Sequence, residues 1–75
     1  MRAYVLTHVH PGQGLDIVRA LRGAPGVVRA DFTLGPYDII AEVDAPTLAA
    51  IGKLVFETIR CQPGVEETLT CLAVE

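Results

Sequence analysis

Residues 21-LRGAPGVVRADFTL-34 align without gaps on 59-IRCQPGVEETLTCL-72, an offset of 38 positions in a chain of 75. Both copies run from an apolar residue and Arg, through a Pro-Gly-Val triplet, to a closing Leu. Pro cannot continue a helix, and Gly accepts backbone conformations that other residues avoid, so Pro-Gly ends a helix and makes a turn. The β-branched Val behind it opens a strand. A helix, a Pro-Gly breaker and a strand therefore occur twice, and the fold must be built from two similar halves.

Each half also has a strand ahead of its helix. In the first, 3-AYVLTHV-9 is rich in β-branched and aromatic residues. The stretch 10-HPGQG-14 breaks the chain, and Gly14, Ile17, Val18 and Leu21 then follow the i, i+3, i+4, i+7 spacing of an apolar helix stripe. Gly23 and Pro25 stop that helix. In the second half 37-YDIIAEV-43 is the strand, with Asp44 as N-cap and Pro46 in the first turn of the next helix. Leu48, Ile51, Gly52, Val55 and Ile59 form its stripe, and 65-VEETLTCLAV-74 is the last strand. A hairpin at Gly35-Pro36 joins the halves, and Gly35 is expected to supply a positive φ there. The order β-α-β-β-α-β defines an α+β, ferredoxin-like βαββαβ fold: a four-stranded antiparallel sheet with two helices on one face, placed together by right-handed crossovers.

One sheet face is then bare, and the sequence does not make it polar. Val65, Leu69, Cys71 and Ala73 fall on one side of the last strand and Thr68, Thr70, Leu72 and Val74 on the other. Ile39, Ala41 and Val43 oppose Ile40 in the third strand. Strands apolar on both sides belong to sheets covered on both sides. Hydrophobic residues make up 51% of the chain and mean hydropathy is +0.41, more apolar surface than one thin core hides. The expected cover is a second copy: a homodimer of the α+β barrel type, with sheets face to face or edges paired around a shared core.

Charge and composition exclude several functions. Net charge is −3, and the basic residues Arg2, Arg19, Arg22, Arg29, Lys53 and Arg60 are scattered, so no direct grip on nucleic acid is expected. No apolar run approaches the roughly 18 residues of a membrane span and no signal-like segment is present, which points to the cytoplasm and away from membranes. Cys61 and Cys71 are too few and too far apart for a zinc site and read as small, buried, reduced hydrophobes. His8 and His10 stand in an H-x-H on one strand face, but two ligands make no site, so no metal or cofactor is expected. Glu66 and Glu67 read as solvated charges at the start of the last strand.

With the turns and last strand placed, the chain resembles, over essentially all 75 residues, the C-terminal ligand-binding and oligomerisation domain of the Lrp/AsnC (feast/famine) transcriptional regulators. The matching pieces are HPGQG at 10–14, LGPYDIIAEVD at 34–44 with its Gly-x-Tyr-Asp pattern, and PGVEETLT at 63–70 with its Thr-x-Thr pattern. It departs from the family in Pro36, where a polar residue is common. It also lacks the helix-turn-helix that usually precedes this domain, and so resembles stand-alone members. The resemblance implies a non-enzymatic unit comprising residues 1–75, dimers that assemble further into a tetramer of dimers, and an amino acid effector held in clefts where dimers meet. The residues it implicates are Leu34, Gly35, Pro36, Tyr37 and Asp38, with Thr68 and Thr70. Asp38 suits the effector's ammonium group, and the Gly35 N–H with the two threonine hydroxyls suits its carboxylate. Co-assembly with full-length DNA-binding relatives would carry the signal. Two other readings stay open: a ligand-free assembly module, and a small dimeric α+β barrel enzyme such as a monooxygenase, in which His8 or His10 with Asp38 would do acid–base work.

Overall fold

A computed structural model describes all residues, 1–75. The elements follow the expected order: β1 (Arg2–Val9), α1 (Gly14–Arg22), β2 (Val27–Phe32), β3 (Ile39–Asp44), α2 (Leu48–Leu54) and β4 (Val65–Leu72). α2 runs on without a break into a π-helical segment, Val55–Arg60. The strands form one antiparallel sheet in the order β2-β3-β1-β4. Both helices feed one core. Ile17, Val18 and Leu21 of α1 and Ile51, Val55 and Ile59 of α2 and its π extension cluster with Ala3, Val5, Val9, Ala30, Ile39, Ala41 and Val43 of the sheet. The helices therefore cover the same face.

The duplication is visible in the backbone. Gly26 and Gly64 have φ of +87° and +97°, and each sits in a turn closed by an N–H three residues along, Val27 to Ala24 and Val65 to Gln62. The helix ends match as well: Ala24 donates to the Leu21 carbonyl, as Gln62 does to that of Ile59. Each turn is then tied to the end of its neighbouring strand, Asp44 N–H to Gly26 O at 2.9 Å and His10 N–H to Gly64 O at 2.7 Å. The Pro-Gly triplets recur because each supplies the same left-handed glycine at the same junction.

Several local expectations change. Asp44 ends β3 and lies 3.4 Å from the terminal ammonium, while the N-cap of α2 is Thr47, whose hydroxyl accepts the Ala50 N–H at 3.1 Å. Within the α2 stripe Ile51, Val55 and Ile59 are buried, but Leu48 and Gly52 are exposed. Val65 faces the helices rather than sharing a face with Leu69. It pairs with Val9 beyond a register shift at His8/Val9, and one extra residue inverts the alternation there. β1 ends at Val9, so His10 leaves the strand and the H-x-H never forms a shared face. Cys61 and Cys71 are both exposed, Cys61 at the end of the helix with its thiol on the Glu57 carbonyl and Cys71 opposite Tyr4.

The bare face is apolar along its middle. Tyr4, Ile40 and Leu69 are 37%, 38% and 48% exposed, with Leu6 half-buried between them and Arg2, Glu42 and Glu67 around them.

Candidate functional site

The β2–β3 connection, residues 33–38, is pinched at its base. The Thr33 N–H donates to the Asp38 carbonyl at 2.8 Å, and the Thr33 hydroxyl donates to the Tyr37 carbonyl, also at 2.8 Å. This closure leaves Leu34, Gly35 and Pro36 projecting into solvent, Leu34 completely exposed. The positive φ expected at Gly35 is not found; only Gly12, Gly26 and Gly64 have one. A longer loop closed by a threonine side chain spreads the reversal over several residues, so no single position needs the left-handed region.

Beyond the turn, each side chain is held by β1. The Tyr37 ring stacks on His8 with centroids 4.5 Å apart and planes 25° from parallel. The Asp38 N–H donates to the Thr7 carbonyl at 3.0 Å, and its Oδ2 accepts the Val9 N–H at 2.9 Å. The carboxylate thus takes the place of the next strand carbonyl, extending the β1–β3 ladder past the end of β3. His8 Nδ1 lies 3.8 Å from the same oxygen. Oδ1 makes no hydrogen bond or ion pair within the chain, and the side chain is 40% exposed. One oxygen of Asp38 is structural and the other is free. Asp38 also borders a cavity of about 230 Å³ lined by Val9, His10, Pro11 and Phe32. His10 lies 3.6 Å from Glu66, so the two histidines pair with separate carboxylates. No group of three or more His, Cys, Asp or Glu is placed to hold a metal ion.

Thr68 and Thr70 share a face of β4, as their spacing predicts, opposite Thr7 and Val5 of β1 and on the side of the helices. They are separated from the turn by the width of β1. Within one chain no cavity is lined by both a turn residue and a β4 threonine. Two neighbours of these positions were not anticipated. His8 meets Tyr37 only through the sheet register, and Arg60 borders both the cavity at Thr68 and that at Thr70. The signal for Arg60 was its place in the repeat, opposite Arg22.

The chain is thus an α+β domain with both helices on one sheet face and a Gly-x-Tyr-Asp turn at its β2–β3 junction. The family model described as Lrp/AsnC ligand binding domain matches residues 2–75, and the chain belongs to that family. It is 31% identical over 74 residues to an uncharacterized HTH-type transcriptional regulator, PF0250, of Pyrococcus furiosus, covering 95% of this chain and 49% of the relative. A second such regulator, PH1916 of Pyrococcus horikoshii, is 27% identical over the same coverage. The chain thus spans about half the length of the curated relatives it matches. Among solved structures, hypothetical protein PHS023 from Pyrococcus horikoshii superposes with a TM-score of 0.91 at 28% identity, covering 99% of this chain and 89% of that one. TTHA0845 from Thermus thermophilus gives 0.92 at 28% identity, covering 99% and 92%. The L-Met complex of the transcriptional regulator NMB0573 from Neisseria meningitidis shares the fold, with a TM-score of 0.87 at 14% identity, covering 99% of this chain and 49% of that one. No helix is long and apolar enough to cross a membrane.

Proposed function

We propose that residues 1–75 form a non-enzymatic cytoplasmic unit that binds a small effector, an amino acid, and converts binding into a change of assembly that regulates transcription. The observation that carries this reading is Asp38: a carboxylate with one oxygen fixed by the Val9 N–H and one open, on an exposed turn that follows the family's Gly-x-Tyr-Asp pattern. A preorganised carboxylate with a free oxygen suits an ammonium group, since little ordering is left to be done on binding. The L-Met bound by the Neisseria regulator supports an effector of the same class.

The apolar bare face supports a homodimer with sheets face to face, and further assembly of dimers would bring the turn of one chain toward Thr68 and Thr70 of another. Separation of the two groups within one chain favours such a composite cleft. The effector would act by binding one assembly state more tightly than another, shifting the population. Full-length relatives carrying a helix-turn-helix would be drawn in through the same surfaces.

The test is a thermal-shift panel of the twenty amino acids, with light scattering on each hit. A ligand at a hundred times its dissociation constant is expected to stabilise by about 2.7 kcal/mol. If no amino acid moves the melting point or the particle size, the ligand-free assembly module replaces this reading.

A further inference from the structure

The repeat has a second consequence when it is followed back into the helices. At the same offset of 38, Gly14 of α1 corresponds to Gly52 of α2, and Phe32 of β2 corresponds to Thr70 of β4. In the first half the Phe32 ring lies directly on Gly14: a Cβ built there would sit 2.6 Å from the ring. The half-exposed Phe32 side chain thus lies across the slot between helix and edge strand, beside the cavity at Asp38, and Gly14 is buried beneath it. In the second half Thr70 is too small to do this, and a Cβ on Gly52 would meet nothing within 4 Å. The slot is an open groove of about 300 Å³, walled by Leu48, Val55 and Phe56. Leu48 and Phe56 are 61% and 59% exposed.

The cation at the end of the slot differs between the halves as well. Arg22 is tied down: its Nε donates to the Ala30 carbonyl at 2.8 Å, and its guanidinium lies 3.5 Å from Asp31. In the second half Leu69 stands at the position equivalent to Asp31, and Arg60, the counterpart of Arg22, takes part in no ion pair. Its guanidinium rests over the Phe56 ring, 5.8 Å from the centroid, at the groove's mouth. No acidic residue lines this groove.

We infer that the groove between α2 and β4 is a binding site for a small monocarboxylate with a benzyl-sized apolar tail. The tail takes the place that Phe32 occupies in the first half, while Arg60 and the Thr70 hydroxyl receive the carboxylate. A guanidinium without a partner matches a carboxylate, and the lack of an acid in the lining gives an ammonium group nothing to pair with. Thr70 also belongs to the proposed effector cleft, so the groove is a second pocket beside that cleft, lined within one chain and without a residue of the Asp38 turn.

The experiment is isothermal titration calorimetry of the full chain with 3-phenylpropionate, and with 2-phenylethylammonium as a probe of matched tail and opposite charge. Saturable binding of the carboxylate alone is expected. Arg60→Gln should weaken it about tenfold or more, since a hydrogen bond to a charged group is lost. Thr70→Phe, which restores the residue of the first half, should abolish it, and Gly52→Leu should do the same by filling the groove from the helix side. Circular dichroism identifies any variant that does not fold, and the remaining variants decide the outcome. Equal binding of the two probes, no saturable heat, or full affinity in the folded Arg60→Gln or Thr70→Phe protein would overturn the assignment. So would a folded Thr70→Phe protein whose particle mass falls below that of the wild type, since a second copy would then be the groove's occupant.

Discussion

Asp38 has one role in the structure and a second in the proposed function, and a pair of substitutions separates them. Asp38→Ala removes the acceptor of the Val9 N–H, a bond of 2.9 Å. A hydrogen bond to a charged group contributes about 1.5–3 kcal/mol. This carboxylate is 40% exposed, so water replaces part of what is lost and the net cost is about 1 kcal/mol. For a domain of this size that lowers the melting temperature by about 4–8 °C. Asp38→Asn keeps an acceptor oxygen for Val9 and should recover at least half of that loss, because a neutral bond contributes about 0.5–1.5 kcal/mol. Its charge is gone, so an ammonium group has no partner. Differential scanning fluorimetry at fixed protein concentration, with and without the amino acid that stabilises the wild type, reads both quantities. The Asn protein is expected to melt close to the wild type and to lose the ligand-induced shift. A full ligand shift in Asp38→Asn removes Asp38 from the site, and an unaltered melting point in Asp38→Ala shows that the strand extension contributes nothing.

Other perturbations test the frame that carries the site. Ile59→Ala empties a fully buried position and should cost about 2–5 kcal/mol, read by urea unfolding followed by circular dichroism. At Gly12, with φ of +88° and open space around a built Cβ, alanine pays only the left-handed penalty of about 1–2 kcal/mol. At Gly26, with φ of +87°, the new methyl also meets Leu54, so Gly26→Ala should be the more costly of the two in the same assay. Leu69→Lys places a charge in the middle of the bare apolar face and should reduce the particle to a folded monomer in multi-angle light scattering, whereas an unchanged mass moves the interface elsewhere.

What the sequence disclosed about this fold depended on how local the cause was. The Pro-Gly turns were legible because the residues that make them are adjacent, and α1 was legible because Gly14, Ile17, Val18 and Leu21 hold one phase over a single regular helix. The errors fall where phase is interrupted. The shift at His8/Val9 turned Val65 to the other face, and α2 is capped by Thr47, after Asp44 has already been used by β3. The burial of Cys61 and Cys71 was misjudged because small apolar residues were assigned to the interior by type, while their places are a helix end and the uncovered sheet face.

The candidate site was legible only as composition. Tyr37 and Asp38 could be singled out as more than a hairpin needs, but their partners are set by register: Thr7, His8 and Val9 are some thirty residues away in sequence and one strand away in space. The repeat also locates where the two halves differ. Equivalent positions are free to diverge once the turns and core are secured in both copies, and they diverged at the surface. Phe32 closes the first helix–edge slot where Thr70 leaves the second open, and Asp31 engages Arg22 where Leu69 leaves Arg60 unpaired. A duplicated fold with one slot filled by its own side chain and one left open shows, within a single chain, both the shape of the open site and the size of what fits it.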